Sequence, residues 1–272
     1  AAAAADAVAP RGIVYHCVDD YASNPGVDGA WVSTLERHLL ERADVVFASS
    51  PVLGKRLATV RPDTEVWPNV ADVLLFSQAV LEDGPEPPEL ARLPRPRAVY
   101  VGNISTYKVD VALVDDLART LPWLQVVLVG EVGLGDTGDA QGAIRTLCER
   151  PNVHRLPPRP PERLPELLRH CDVGLIPFVL NGHTRSSLPL KLFEYLGAGL
   201  PVIATELPNL REVGPEWAVR LTDGPGTFPG LVEKALGDGP SRRSDRLDLA
   251  APHDWEARID AILDRLGARL PS

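Results

Sequence analysis

The segment RSSLPLKLFEYLGAGLPVIAT, residues 185–205, carries most of the information about fold and ligand. It predicts a helix over 189–198 that opens on a proline, followed by an apolar strand over 201–205. Lys191 stands in the first turn of that helix, where the helix dipole disfavours a positive charge. An anionic ligand would reverse this effect, because the lysine and the unpaired N–H groups of the first turn would bind it together. Further donors are available from Arg185, Ser186 and Ser187.

A carboxylate one turn further along the same helix indicates a sugar beside the anion. Glu194 can accept two hydrogen bonds from the hydroxyl groups of a ribose, so that phosphate at Lys191 and ribose at Glu194 together indicate a nucleotide. The alternative is an ordinary surface ion pair between the two residues, worth about 0.2–0.5 kcal/mol. The helix follows a predicted strand and a loop that contains Ser186 and Ser187, and this placement favours the nucleotide.

Apolar runs and amphipathic segments alternate along the chain. This alternation indicates an α/β fold with parallel sheets, in which ligands bind beyond the carboxyl ends of the strands. Strands are predicted over 12–21, 44–49, 65–69, 97–103, 124–130, 152–156, 172–178 and 201–205. Helices are predicted over 31–43, 51–60, 110–121, 140–150, 161–170, 189–198, 226–237 and 253–270.

Composition excludes several classes of protein. The 272 residues carry a net charge of -9 without a long basic stripe, which argues against nucleic-acid binding. The 3 cysteines are widely spaced and predict reduced thiols in a cytoplasmic protein. No apolar run is long enough to span a membrane, and the alanine-rich start predicts a flexible leader without the features of a secretion signal.

Residues 189–205 resemble the donor-site helix and strand of the GT-B retaining glycosyltransferases. This large family includes bacterial cell-surface polysaccharide and teichuronic-acid-type transferases. The resemblance covers nearly all of residues 12–270. It extends to YHCVDDY (15–21), LERHLLERADVVFASSPVL (35–53), VWPNVADVLLF (66–76), YVGNISTYKVDVALVDDLA (100–118), NVHRLPPRPPERLPELLRHCDVGLIPF (152–178) and HDWEARIDAIL (253–263).

The resemblance implies two Rossmann-like domains with parallel sheets that face a cleft. We expect a partial N-terminal, acceptor-side domain over 1–81 and a nucleotide-sugar-binding domain over 97–246. Residues 82–96 contain five prolines and are predicted to be a linker. Residues 247–272 are expected to form a helix that packs back on the N-terminal domain. The first strands of the N-terminal domain and the chain's methionines are missing, which indicates a fragment or a short form.

Family residues can be transferred to several positions of the donor side. Lys108 takes the place of a lysine that grips the donor pyrophosphate, although an ordinary solvated lysine is the alternative. Asn103 stands where the family commonly has an arginine. Ser186 stands where it has the first of two glutamates, of which Glu194 matches the second. The expected donor-binding set is completed by Gly102, His183 and Leu188.

The acceptor side offers fewer candidates. In the family, a histidine or acidic residue at a strand end faces the donor, and Asp19 or Asp20 fits that catalytic place. Either carboxylate would hold a sugar hydroxyl or help to deprotonate the acceptor. The alternative is that the pair caps the next turn.

Two other kinds of site are disfavoured. The glycine pattern GLGDTG at 133–138 fits a dinucleotide motif, but the acidic side chains of Glu131, Asp136 and Asp139 would repel a pyrophosphate. No D-x-D triplet and no cluster of metal-ligating residues is present, so no metal and no cofactor are expected.

The sequence thus predicts a metal-independent glycosyltransferase. It would transfer a sugar, with retention, from a nucleoside diphosphate sugar to a glycan or a lipid-linked acceptor in cell-surface polysaccharide biosynthesis. Such an acceptor would bring a cytoplasmic enzyme to the inner face of the membrane. Two alternatives remain open, a nucleotide-sugar-binding protein without transferase activity and a GT-B epimerase of UDP-sugars.

Overall fold

The computed structural model describes residues 8, 10–133, 140–211 and 213–269. The expected leader lies mostly outside the described residues, and so does most of the glycine pattern at 133–138. The chain groups into two compact units that are described separately. The first comprises the described parts of Ala1–Val70, Asn181–Pro189 and Trp255–Ser272, and the second comprises those of Ala71–Leu180 and Leu190–Asp254.

Strands and helices alternate in both units, as the sequence predicts. The strands are β1 (Val14–Cys17), β2 (Val45–Ala48), β3 (Glu65–Val66), β4 (Arg97–Val101), β5 (Gln125–Val129), β6 (Val153–Leu156), β7 (Val173–Ile176), β8 (Val202–Thr205) and β9 (Val219–Thr222). The α-helices are α1 (Gly29–Arg42), α2 (Pro51–Ala58), α3 (Val73–Leu81), α4 (Val111–Thr120), α5 (Ala140–Cys148), α6 (Leu164–Leu168), α7 (Gly182–Ser186), α8 (Lys191–Gly197), α9 (Phe228–Gly237), α10 (Arg243–Ala250) and α11 (Trp255–Arg269).

The first unit contains a parallel sheet with the strand order β1-β2-β3. Polar N-cap residues precede its first two helices. The side chain of Asp28 accepts a hydrogen bond from the N–H of Trp31, and the side chain of Ser50 accepts one from the N–H of Leu53. Strand β2 is buried along its whole length, which explains its continuous apolar sequence.

The second unit contains a six-stranded parallel sheet with the order β6-β5-β4-β7-β8-β9. The chain builds outward from β4 to β6 on one side and from β7 to β9 on the other. The strand order therefore reverses between β4 and β7. In open parallel sheets, ligands bind beyond the carboxyl ends of the strands at this reversal.

Helix α8 packs directly on the middle of this sheet. A Cβ atom at Gly174 of β7 would lie 2.4 Å from Cδ2 of Tyr195, so only glycine allows the buried ring to lie this close to the strand. The Oη atom of Tyr195 accepts a hydrogen bond of 2.8 Å from the N–H of Val101 at the end of β4. These contacts fix α8 against the strands that flank the reversal point.

Several elements differ from the sequence-based expectations. The helix predicted over 189–198 is shorter and begins at Lys191. The helix predicted over 161–170 is divided into a 3-10 turn at Pro161–Arg163 and α6, because three prolines between 160 and 165 remove backbone donors. Four elements, α3, α7, α10 and β9, were not predicted.

The proline-rich segment 82–96 is packed against the second unit. Leu90 is fully buried, and the Arg97 guanidinium donates to its carbonyl oxygen at 2.9 Å and pairs with Glu86. Residues 71–81 group with the second unit, and 255–269 group with the first. The domain boundaries proposed at 81/82, 96/97 and 246/247 stay predictions. Within the described ranges, no helix has both the length and the apolar character that crossing a membrane requires.

The close contact at Gly174 gives a test of the packing. We expect Gly174→Ala to lower the free energy of unfolding by about 1–3 kcal/mol, because the new methyl group collides with the ring of Tyr195. Urea unfolding of both proteins measures the difference. Gly230→Ala in α9 is the matched control. Its Cβ would meet nothing within 4 Å, so a helix-favouring residue should stabilise by about 0.5–1 kcal/mol. Equal stability of Gly174→Ala and wild type would contradict the described packing.

Candidate functional site

The loop after β4 is tied across the reversal point to the segment after β7. The backbone carbonyl oxygen of Lys108 accepts a hydrogen bond of 2.9 Å from the N–H of Val179, and the N–H of Asp110 donates to Pro177 at 2.8 Å. Asp110 is also the N-cap of α4, and its side chain accepts a hydrogen bond from the N–H of Leu113. These bonds bring Lys108 beside the carboxyl end of β7.

Two ammonium groups lie over aromatic rings at this place. The Nζ atom of Lys191, the first residue of α8, lies 5.4 Å from the ring centre of Tyr100 and 5.3 Å from that of Phe178. The Nζ atom of Lys108 lies 5.5 Å from the ring centre of Phe178. Both rings are buried, and such cation–π contacts are stronger where water is excluded. The two predicted phosphate-binding lysines therefore share one aromatic side chain.

Glycine at position 102 keeps the space beside Lys191 open. Gly102 follows β4 with a φ of 140°, a conformation that strongly favours glycine. A Cβ atom there would lie 3.1 Å from Nζ of Lys191 and 3.3 Å from Oη of Tyr100. The same hydroxyl group donates a hydrogen bond of 2.8 Å to the carbonyl oxygen of Asn103, which holds the loop against the strand.

Lys191 and Glu194 are both half-buried. Burial, together with the positive charge of Lys108, lowers the pKa of Lys191 to about 8, and Glu194 opposes the shift. Burial also raises the pKa of Glu194, against the opposite effect of Lys191. Neither side chain has an ion-pair partner within 4.0 Å among the described residues. The surface ion pair considered as the alternative is therefore not formed.

The remaining candidates belong to the first unit. His183 of α7 is buried, and its Nδ1 atom lies 3.4 Å from Oδ1 of Asp19, which follows β1. Asp20 accepts a hydrogen bond of 2.6 Å from the hydroxyl group of Ser23, so it holds the turn that follows β1. The structure thus brings Asp19 to His183.

The segment around α7 is held by internal hydrogen bonds. The hydroxyl group of Ser186 donates to the carbonyl oxygen of His183 at 2.8 Å, and that of Ser50 donates to the carbonyl oxygen of Ser186 at 2.6 Å. Leu188 is buried, and its carbonyl oxygen accepts from Asn69 at 2.8 Å. Arg185 is exposed and Ser187 is half-buried. The roles predicted for these residues stay predictions.

Sequence reasoning missed the aromatic rings that support the two lysines. Tyr100 lies near the carboxyl end of β4, and Phe178 lies just after β7. The available signal was their place at the carboxyl ends of two strands that flank the reversal point. Their contacts with lysine side chains depend on the loop conformation and could not be derived from spacing.

A parallel sheet of this strand order defines the doubly wound class of α/β domain, in which ligands bind beyond the reversal point, where this chain places two lysines and a carboxylate. A family model described as glycosyl transferases group 1 matches residues 95–234, slightly more than half of the chain. The chain belongs to this family, as the resemblance predicted.

One relative is TuaH of Bacillus subtilis (strain 168), whose name describes it as a glycosyltransferase of teichuronic acid biosynthesis. It is 25% identical over 246 residues, which cover 87% of this chain and 60% of TuaH. The chain thus spans less than two thirds of that relative.

Solved structures confirm the predicted α/β fold of the GT-B type. HepE of Anabaena, solved with UDP, has a TM-score of 0.78 at 19% identity, over 98% of this chain and 75% of HepE. HepE with UDP-glucose has a TM-score of 0.73 at 18% identity, over 98% and 75%. The trehalose-6-phosphate synthase OtsA has a TM-score of 0.74 at 15% identity, over 100% of this chain and 70% of OtsA.

The lowered pKa of Lys191 has a measurable consequence for stability. Its pKa falls from 10.5 in the unfolded chain to about 8 in the folded one, so the unfolded chain binds more protons between these values. The free energy of unfolding should therefore rise with pH through this window. We expect Lys191→Met to stabilise the protein at pH 7 by on the order of 2 kcal/mol and to lose this advantage near pH 10.

Urea unfolding at several pH values measures the effect. Lys234→Met, at an exposed lysine of α9 that pairs with Glu216, controls for the loss of a surface charge. A Lys191→Met variant less stable than wild type at pH 7 would contradict the described burial.

Proposed function

We propose that this chain transfers a sugar from UDP-sugar to a glycan or lipid-linked acceptor, with retention of configuration, in cell-surface polysaccharide biosynthesis. The observation that carries the proposal is the grouping of Lys108, Lys191 and Glu194 beyond the reversal point of a parallel sheet. Membership of the glycosyl transferases group 1 supports the reaction class. The complexes of HepE with UDP and UDP-glucose support uridine as the nucleoside of the donor.

Electrostatics favours a diphosphate between the two lysines. A half-buried ammonium without a carboxylate partner within ion-pair distance among the described residues is unfavourable, and a second ammonium near the same ring of Phe178 adds repulsion. A bound diphosphate would relieve both effects and would return the pKa of Lys191 toward its ordinary value. In the transfer step the same groups would stabilise the charge that develops on the leaving UDP, without a metal ion.

Glu194 is the proposed ribose ligand. Its position one turn after Lys191 on the same helix suits a nucleoside attached to the bound phosphates. Because burial raises its pKa, hydrogen bonds from ribose hydroxyl groups would stabilise its ionised form.

Asp19 is the proposed residue on the acceptor side. His183 lies 3.4 Å from its carboxylate, and the pair would hold a sugar hydroxyl group in a defined orientation. Asp20 is the weaker candidate because it already holds Ser23. The acceptor would be amphiphilic if it is lipid-linked, and the enzyme would then work at a membrane surface.

A second candidate function is nucleotide-sugar binding without transfer. Two departures from the family pattern favour it. Asn103 replaces an arginine, and Ser186, whose hydroxyl group is bonded to His183, replaces a glutamate. Turnover of the donor separates the two functions.

Calorimetric titration with UDP, GDP and ADP tests the donor site. We expect UDP to bind best. Lys191→Ala should weaken UDP binding at least tenfold, because a charge-assisted hydrogen bond to phosphate is lost, and Glu194→Gln should weaken it by about tenfold. Lys234→Ala is the control for an exposed lysine and should bind UDP like wild type. Binding of none of the three nucleotides, or unchanged UDP binding by Lys191→Ala, would contradict the proposal.

Donor hydrolysis in the absence of an acceptor tests the stereochemistry. A retaining transferase should release a sugar that initially has the anomeric configuration of the donor, because water takes the place of the acceptor. Proton NMR during the first minutes distinguishes the two anomers. Inversion would overturn the proposed retention, and the nucleotide-binding function without transfer predicts no release.

A further inference from the structure

A separate cavity of about 210 Å³ lies in the second unit, at the other edge of the sheet. Arg95 and Asp172 on its wall precede β4 and β7, and Gly199 precedes β8. Because the strands are parallel, their amino ends lie opposite the edge that carries Lys191. The remaining wall includes two arginines of α10, Arg243 and Arg246.

Arg246 is buried, and no carboxylate among the described residues forms an ion pair with it. Its side chain is 1% exposed, and its Nη1 atom donates one hydrogen bond of 3.1 Å to the carbonyl oxygen of Gly199. Its Nε and Nη2 atoms have no hydrogen-bond partner among the described residues. Burial lowers the pKa of this guanidinium to about 10, although Asp238 opposes the shift. A buried cation left in this state is unfavourable.

The carboxylates nearby are already held by other groups. Asp172 accepts a hydrogen bond of 2.7 Å from the N–H of Arg97 and pairs with Arg95 at 3.2 Å. Asp238 pairs with Arg220 at 2.5 Å. Among the described residues, the cavity wall therefore carries three guanidinium groups and one carboxylate. That carboxylate, of Asp172, is already paired with Arg95.

We propose that this cavity binds a phosphate group, either as inorganic phosphate or as a small phosphate monoester. Guanidinium groups match the geometry of phosphate oxygens, and Arg243 and Arg95 would make the direct contacts. The negative charge of the bound phosphate would also stabilise the buried positive charge of Arg246. The cavity of about 210 Å³ has room for a phosphate group with a few further atoms.

The test is the binding of sodium phosphate to the whole chain. Calorimetry and thermal unfolding measure this binding, and sodium chloride at equal ionic strength is the reference. We expect saturable binding and a rise of Tm with phosphate concentration. Glycerol 3-phosphate is titrated in parallel, and tighter binding than that of inorganic phosphate identifies a monoester as the ligand. Tighter binding of inorganic phosphate identifies the free ion.

Four variants assign the site. Arg243→Ala and Arg246→Met should each weaken phosphate binding at least tenfold. Arg242→Ala is the matched control, because this neighbouring arginine lies over the ring of Trp217 and is not on the cavity wall. Lys191→Ala removes a lysine of the proposed donor site and should keep the phosphate binding that Arg243→Ala loses, which separates this cavity from the donor site.

The outcome is decisive in either direction. Absence of saturable binding by wild type would overturn the proposal, as would binding that is lost in Lys191→Ala and kept in Arg243→Ala. If Arg246→Met fails to fold, the half-exposed Arg243 decides the matter.

Discussion

Parallel pairing of six strands is the constraint on which the rest of the second unit depends. Such a sheet must be covered on both faces, so its inner strands are largely apolar. All carboxyl ends meet at one edge, and the two central strands, β4 and β7, build outward in opposite directions. The loops that follow these two strands can therefore carry polar side chains such as that of Lys108.

Helix α8 connects the apolar core to that edge. Its buried face carries Tyr195, which rests on Gly174 and accepts a hydrogen bond from Val101. Its other residues include Lys191 and Glu194, whose positions are consequently set by packing within the sheet. A ligand group in this place meets side chains that were oriented before it arrived, which reduces the entropy lost on binding.

The strands other than β9 could be predicted because each depends on local sequence. Buried runs such as QVVLV predict strands, and a lysine at a helix start predicts an anion site. Helix α3 was missed because it contains no charged residue and is not amphipathic in the usual sense. The position of Lys108 beside Phe178 was missed because it depends on backbone bonds between loops that are far apart in the chain. Arg246 gave no local signal, since arginine is ordinarily exposed.

The two units are interleaved along the chain. The first unit gathers three separate stretches, and the backbone passes from one unit to the other at 70/71, 180/181, 189/190 and 254/255. No single truncation can therefore release an intact half, and a cut in the proline-rich segment would separate α3 from the helices α6 and α8 that it packs against. Dissection of this protein by limited proteolysis or gene fusion requires rejoined segments, as in a circular permutant.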